Sequence, residues 1–256
     1  MPKENKGKKY KYYIENLDTT ISTKYDVPSE ILIVNEKIPV IPSYMIIVGT
    51  GGSGKTLLIC NLAHMFKKVF KGRIVIFSGT ANKTLLELEK SLGADMYYSI
   101  LKKDGTDRIQ EIIDFQTLQK KNGNKIKNIL IILDDYVNDK IMNKPRSSLT
   151  TCYSQGRHAN ITIITGTQKY TKLPTIVRSE TDYTMLFPTD DITELKSIVD
   201  GNCMWLQPQE FERLFIETTK EPHSFLFLDK KQKVMRKNFG NIVNSKDPID
   251  IKEKNN

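Results

Sequence analysis

The stretch MIIVGTGGSGKTLL, residues 45–58, decides the architecture. An apolar, β-branched run breaks into glycines and closes on Gly54-Lys55-Thr56. The spacing is that of a phosphate-binding loop, G-x-x-x-x-G-K-[ST], with Gly49 and Gly54 as its fixed glycines. A polyphosphate there must lie against bare backbone N–H groups at a helix N-terminus, and side chains would hold it off. Gly49, Thr50, Gly51, Gly52, Ser53, Gly54, Lys55 and Thr56 are therefore the candidate phosphate cradle. In this pattern Lys55 reaches the β- and γ-phosphates, and the Thr56 hydroxyl is a ligand for Mg²⁺.

The second decisive stretch is NILIILDD, residues 128–135. Five consecutive large aliphatics, apolar on both faces, predict a strand buried in the middle of a parallel sheet. Carboxylates at the C-terminal end of such a strand stand where open α/β sheets bind ligands. This is the Walker B pattern. Asp134 is the candidate metal residue, and Asp135 is placed to orient and deprotonate an attacking water. A third run, ITIITGTQ (residues 161–168), predicts another buried strand, ending in Gln168. If that strand is inserted between the two preceding ones, Gln168 stands beside the γ-phosphate.

Around these three runs the chain alternates strands and helices, which predicts an α/β fold with a mostly parallel central sheet flanked by helices. Apolar spacing predicts helices over 55–71, 83–92, 106–121, 148–156, 192–199 and 209–218. In the third of these, Ile109, Ile112 and Ile113 are the inward positions, with Leu118 as a further candidate. Strands are predicted over 73–78, 183–187 and 223–229, and residues 30–42 read as a proline-punctuated strand along the sheet edge. The expected domain plan is a basic arm over residues 1–28, one domain over 29–240 with a small helical and strand part from about 190, and a polar tail over 241–256. Lysine-rich KKNGNKIK, residues 120–127, reads as a solvated loop, with phosphate contact as the alternative.

The formal charge of +9 favours an acidic partner such as nucleic acid. Three scattered cysteines and three scattered histidines suggest neither a disulfide framework nor a zinc site, so His64, His158 and His223 read as structural. The absence of a signal-peptide pattern and of any apolar run near 18 residues leads to the expectation of an intracellular protein without membrane attachment.

Together GTGGSGKT, NILIILDD, GRHANITIITGTQ, LPTIVRSETDY and FERLFIETTKEPHSFLFLD resemble the packaging ATPases of the FtsK/HerA superfamily, over roughly residues 40–240. The nearest resemblance is to those of poxviruses, other large DNA viruses, virophages and small phages. It implies a RecA-like P-loop NTPase fold of the additional-strand type, ATP and Mg²⁺ as cofactors, and double-stranded DNA as substrate. It also implies a viral capsid or portal vertex as partner, and a homo-oligomeric ring of five or six copies that is monomeric in isolation. The location would be the host cytoplasm or a viral factory, with association to the virion. By the same resemblance Gln168 is a strand-end sensor, and an arginine from one subunit reaches the γ-phosphate of the next. Arg146, Arg157 and Arg178 are the candidates, with Arg157 preferred because it precedes the strand that ends at Gln168. Members of the family often end their Walker B strand in Asp-Glu, whereas this chain has Asp134-Asp135, one methylene shorter.

Two other classes fit part of the pattern. A nucleotide or small-molecule kinase shares the loop, but the sequence has no obvious arginine-rich lid. A non-hydrolysing, ATP-gated DNA-binding module would not need Lys55, Thr56, Asp134 and Asp135 together. A GTPase would carry N-K-x-D where Thr167-Gln168-Lys169-Tyr170 stands.

Overall fold

A computed structural model describes residues 39, 41–79, 83–136 and 147–240 of the 256-residue chain. The expected basic arm, most of the 30–42 strand, Arg146 and the polar tail lie outside the described residues. Pro39, Ile41 and Pro42, which are described, are not in a strand.

Eight strands form one sheet: β1 (Tyr44–Val48), β2 (Ile74–Ser78), β3 (Asp95–Tyr97), β4 (Ile129–Asp134), β5 (Ile161–Thr167), β6 (Tyr183–Leu186), β7 (Leu226–Asp229) and β8 (Val234–Lys237). Their order is β3-β2-β4-β5-β1-β6-β7-β8. From β3 to β6 every neighbouring pair is parallel, and β7 and β8 complete the sheet as antiparallel strands. The α/β expectation, with a mostly parallel sheet, matches this order. So does the insertion of β5, which lies between β1 and β4.

Side chains alternate across each strand, so the sheet needs an apolar layer on both faces. On one face Met45, Ile47, Ile74, Ile76, Leu130 and Ile132 pack against α1 (Lys55–Met65), α2 (Lys67–Phe70) and α3 (Lys83–Leu92). On the other face Tyr44, Ile46, Ile131, Leu133, Ile161 and Ile163 belong to a second cluster. Its helices are α4 (Arg108–Lys121), α5 (Ser148–Gln155), α6 (Thr175–Glu180), α7 (Ile192–Asn202) and α8 (Pro208–Thr218). In β4, Leu130, Ile131, Ile132 and Leu133 are buried, and each fully buried aliphatic contributes about 1.5–3 kcal/mol. A strand with that pattern is stable only where both faces are covered.

Several details depart from the sequence pattern. The helix expected over 55–71 breaks at Phe66, and its last turn closes on Lys71 in the left-handed region. That break keeps Phe66 and Phe70 both buried, edge to face at 6.1 Å. In α4, Asp107 caps the start by accepting from the Ile109 and Gln110 amides. Leu118 is 53% exposed, against the expectation that it faces inward. Gln116 is buried on this helix because its amide donates to the Lys127 and Ala159 carbonyls, at 2.6 and 2.9 Å. β3, α6 and β8 were not expected from the sequence.

The starts of β1, β5 and β6 are locked together by Tyr44. Its hydroxyl donates to the Cys152 carbonyl at 2.8 Å and accepts from the Arg157 amide at 2.7 Å. Its own amide donates to Asp182 Oδ2 at 2.8 Å. Burial pushes the Tyr44 phenol well above its usual range. Tyr44→Phe leaves a buried carbonyl and a partly buried amide without their partner, so the variant is expected to lose about 1–3 kcal/mol of stability. Urea unfolding reads this as a lower midpoint with an unchanged slope.

Candidate nucleotide-binding site

The C-terminal ends of β1, β5 and β4 lie side by side, with Val48 opposite Thr167 and Gly166 opposite Asp134. Two backbone hydrogen bonds extend this alignment beyond the strands. The Gly49 amide donates to the Thr167 carbonyl at 3.0 Å, and the Asp135 amide donates to the Gly166 carbonyl at 2.9 Å. The glycine loop and the acidic pair are thereby fixed on either side of one strand end.

Gly54 starts α1 with φ 103°, a left-handed conformation that glycine adopts without a Cβ penalty. Gly166 serves a different purpose. A Cβ there would stand 2.7 Å from Ile59 Cδ1 and 2.9 Å from Asp134 Oδ1, so only glycine lets α1 pack this closely over β5. Close packing brings Lys55 Nζ to 3.5 Å from Asp134 Oδ1 and 3.2 Å from Asp135 Oδ2. Thr56 Oγ1 is 3.5 Å from Asp134 Oδ2, and Gln168 Nε2 donates to Asp135 Oδ2 at 2.9 Å. Lys55, Thr56, Asp134, Asp135 and Gln168, from three separate stretches of sequence, thus meet in one place.

The two carboxylates differ. Asp134 is 3% exposed and Asp135 is 23% exposed. Burial raises the Asp134 pKa above the usual carboxylate value; the Lys55 cation opposes this and the Asp135 charge adds to it. Asp135 has φ 51°, a region that Asp enters more readily than most residues, and this turn immediately follows the strand. Asp134 Oδ1, Asp135 Oδ1 and Ser53 Oγ are buried without hydrogen-bond donors or acceptors among the described residues. A hard cation with oxygen ligands suits Thr56 Oγ1 and Asp134, whose buried Oδ1 faces the Lys55 ammonium at 3.5 Å but accepts no hydrogen bond.

The arginines are elsewhere. Arg157 lies just before β5, at the opposite end of the sheet from Gln168. Its Nε donates to Asp182 Oδ2 at 3.3 Å, its Nη1 to Glu180 Oε2 at 3.5 Å and its Nη2 to the Glu180 carbonyl. The guanidinium carbon sits 4.1 Å from the centre of the Tyr44 ring. These bonds engage all three guanidinium nitrogens within the subunit. Arg178 lies over the Tyr170 ring at 5.5 Å. Arg146 is outside the described residues.

One contact was missed by sequence reasoning. His223 Nδ1 donates to the Ser53 carbonyl at 3.1 Å, bringing the segment before β7 against the glycine loop. A lone histidine 170 positions away gives no sequence signal for this. The structural role expected for His223 therefore falls directly on the phosphate loop.

Comparison with known proteins places this geometry in a family. B204, the DNA-packaging ATPase from Sulfolobus turreted icosahedral virus, has 20% identity and a TM-score of 0.57, over 79% of this chain and 98% of B204. The genome-packaging NTPase B204 of Sulfolobus turreted icosahedral virus 2, in complex with ATP-gammaS, gives 20% identity and a TM-score of 0.53, over 76% and 96% of the two chains. EssC (ATPases 2 and 3) from Geobacillus thermodenitrificans has 16% identity and a TM-score of 0.56, over 81% of this chain and 40% of EssC. At these identities the likeness establishes the fold. No curated protein matches the sequence. The family model of the poxvirus A32 protein matches residues 34–199, well over half the chain, and the protein belongs to that family.

Proposed function

We propose that the protein is an ATPase that drives double-stranded DNA into a viral capsid. The observation that carries this reading is the convergence of Lys55, Thr56, Asp134, Asp135 and Gln168 at the end of an inserted strand, within a chain of the poxvirus A32 family. B204, a genome-packaging NTPase of similar fold, forms complexes with ATP-gammaS and AMPPCP, which supports ATP as the nucleotide. Residues 29–240 act as the ATPase domain, with residues 1–28 as a basic arm and 241–256 as a polar tail. β7 and β8 support one domain through the part from about 190, because they extend the same sheet. No helix among the described residues is long and apolar enough to cross a membrane.

In this reading the backbone from Gly49 to Thr56 cradles the phosphates, and Lys55 exchanges its carboxylate partners for the β- and γ-phosphate oxygens. Thr56 and Asp134 would hold Mg²⁺, which would neutralise charge on those oxygens. Asp135, more exposed than Asp134, accepts a proton from the attacking water, while Gln168 holds the water and the Asp135 carboxylate in line. A bond forms from the water oxygen to the γ-phosphorus, and the bond from that phosphorus to the ADP oxygen breaks. Copies would work as a ring at the capsid vertex, each resetting its grip on DNA after hydrolysis. A kinase is disfavoured because Gln168 and Asp135 are already hydrogen-bonded as a water-positioning pair.

Steady-state hydrolysis tests the reading, with duplex DNA, single-stranded DNA or no nucleic acid present. Duplex DNA is expected to stimulate turnover. Lys55→Ala should lower kcat by at least about 100-fold. Asp135→Asn should lower it by about 10²- to 10⁴-fold with nucleotide affinity nearly retained. Phosphate transfer to a small acceptor in preference to water would sink the proposal.

A pH dependence follows from the burial of Asp134. The unfolded chain ionises at the ordinary value of about 4, the folded chain at a raised value. Stabilisation from this group is therefore full below the ordinary value and is lost as pH rises through the raised one. A cation on ionised Asp134 must displace the proton, so its affinity grows across the same window. The rise in melting temperature produced by Mg²⁺ with ADP is expected to shrink on acidification from neutral pH. In Asp134→Asn it should be small and independent of pH.

A further inference from the structure

The nucleotide site occupies the C-terminal ends of the parallel strands; at the opposite end, where Asp95, Glu180 and Asp182 also lie, the stretches leading into β2 and β4 are strongly basic. Two connectors create this charge. The first ends α1 and α2 and leads into β2, carrying exposed Lys67, Lys68 and Lys71. The second ends α4 and leads into β4, carrying exposed Lys120, Lys121, Lys125 and Lys127. Because β2 and β4 are adjacent and parallel, both connectors arrive at the same sheet end from opposite faces. Arg73 Nε joins them by donating to the Asn128 carbonyl at 3.0 Å.

The acidic residues are as informative as the basic ones. The sequence has no Asp or Glu from position 56 to 86, and none from 115 to 133. Seven lysines are thus concentrated with no carboxylate in either connector. Helix-dipole complementation explains one or two cations in a last turn. It does not explain lysines that continue through the coil at 125 and 127. Among the seven, Lys67 donates to the Ser91 carbonyl and Lys120 to the His158 carbonyl, each at 3.2 Å. An ammonium has three donors, so both retain capacity for a phosphate.

We propose that this end of the sheet, centred on the connectors before β2 and β4, grips the phosphate backbone of duplex DNA. The proposal rests on the packaging reading and gives it a location. Duplex DNA presents one charge per about 1.7 Å of axis, the form of partner that a dense lysine field matches. Lysines act as point charges without base readout, so the grip is independent of sequence, as a motor that traverses a whole genome needs. The β7–β8 turn extends the same end with exposed Lys233 and with Lys231, whose ammonium pairs with Asp182 Oδ1 at 3.1 Å.

The test is binding of the full chain to a duplex of about 30 base pairs, followed by fluorescence anisotropy over a range of salt concentrations. The variant Lys71→Glu/Lys121→Glu/Lys125→Glu/Lys127→Glu is compared with Lys83→Glu/Lys103→Glu/Lys196→Glu/Lys220→Glu, which changes net charge equally at other places. The first is expected to lose at least about tenfold in affinity and to flatten the salt slope by about 3–4, equally for unrelated sequences. The second should stay within about threefold of the parent protein. Melting temperature reports folding, and the four Lys→Gln changes at the first set decide the result where the Glu variant melts too low. Equal losses in both variants, or none in the first, overturn the location while leaving the DNA reading intact. Failure of the parent protein to bind duplex DNA, or a preference for duplex RNA, overturns both.

Discussion

Everything at the nucleotide end depends on how β5 is held between β1 and β4. The bond from the Gly49 amide to the Thr167 carbonyl fixes the glycine loop to β5, and the bond from the Asp135 amide to the Gly166 carbonyl fixes the acidic turn to the same strand. Neither the loop nor the turn can shift without breaking a backbone bond to β5. Gly166, whose carbonyl is one of the two acceptors, also sets how closely α1 approaches. The positions of Lys55 and Thr56 relative to Asp134 are therefore properties of one strand end.

Much of this was legible in the sequence because the signals were strong and physical. A run such as NILIILDD has no stable place except a central strand, and a glycine loop closing on Lys55-Thr56 has few uses other than phosphate binding. The helix over Lys83–Leu92 had its boundaries read correctly from three leucines and flanking breakers. The inserted position of β5 was implied by the family resemblance, and the strand order bears it out. Proximity of Gln168 to Asp135 then follows from strand order.

What the sequence could not show was set by tertiary partners. Three-residue β3 and four-residue β8 are too short for any period to register, and each exists through its neighbour in the sheet. Gln116 looks like a surface residue and is buried because two backbone carbonyls happen to face it. The bonds of Arg157 left no trace in the sequence because its partners, Tyr44, Glu180 and Asp182, are distant along the chain. The Asp-Asp ending is another case. The left-handed turn at Asp135 favours Asp, and the shorter side chain still reaches both Lys55 and Gln168.

The proposed DNA grip and the nucleotide site stand at opposite ends of the same strands. β5 has seven residues, all buried, and at about 3.3 Å per residue it separates the two ends by roughly 20 Å. A change at the γ-phosphate cannot act on the lysines by direct charge at that distance, because exposed charges are screened within about 8–10 Å. A close-packed interior with apolar layers on both faces does not compress to transmit a local signal either. In the proposed ring, the DNA-contacting end would therefore move as a lever rather than through a relay: hydrolysis would alter how the nucleotide end sits against a neighbouring copy, and the rigid sheet would move the basic end with it. Arg157, Asp182 and Tyr44 tie the starts of β1, β5 and β6 together, and in the proposed motor that bonding would stiffen the lever as well as stabilise the fold.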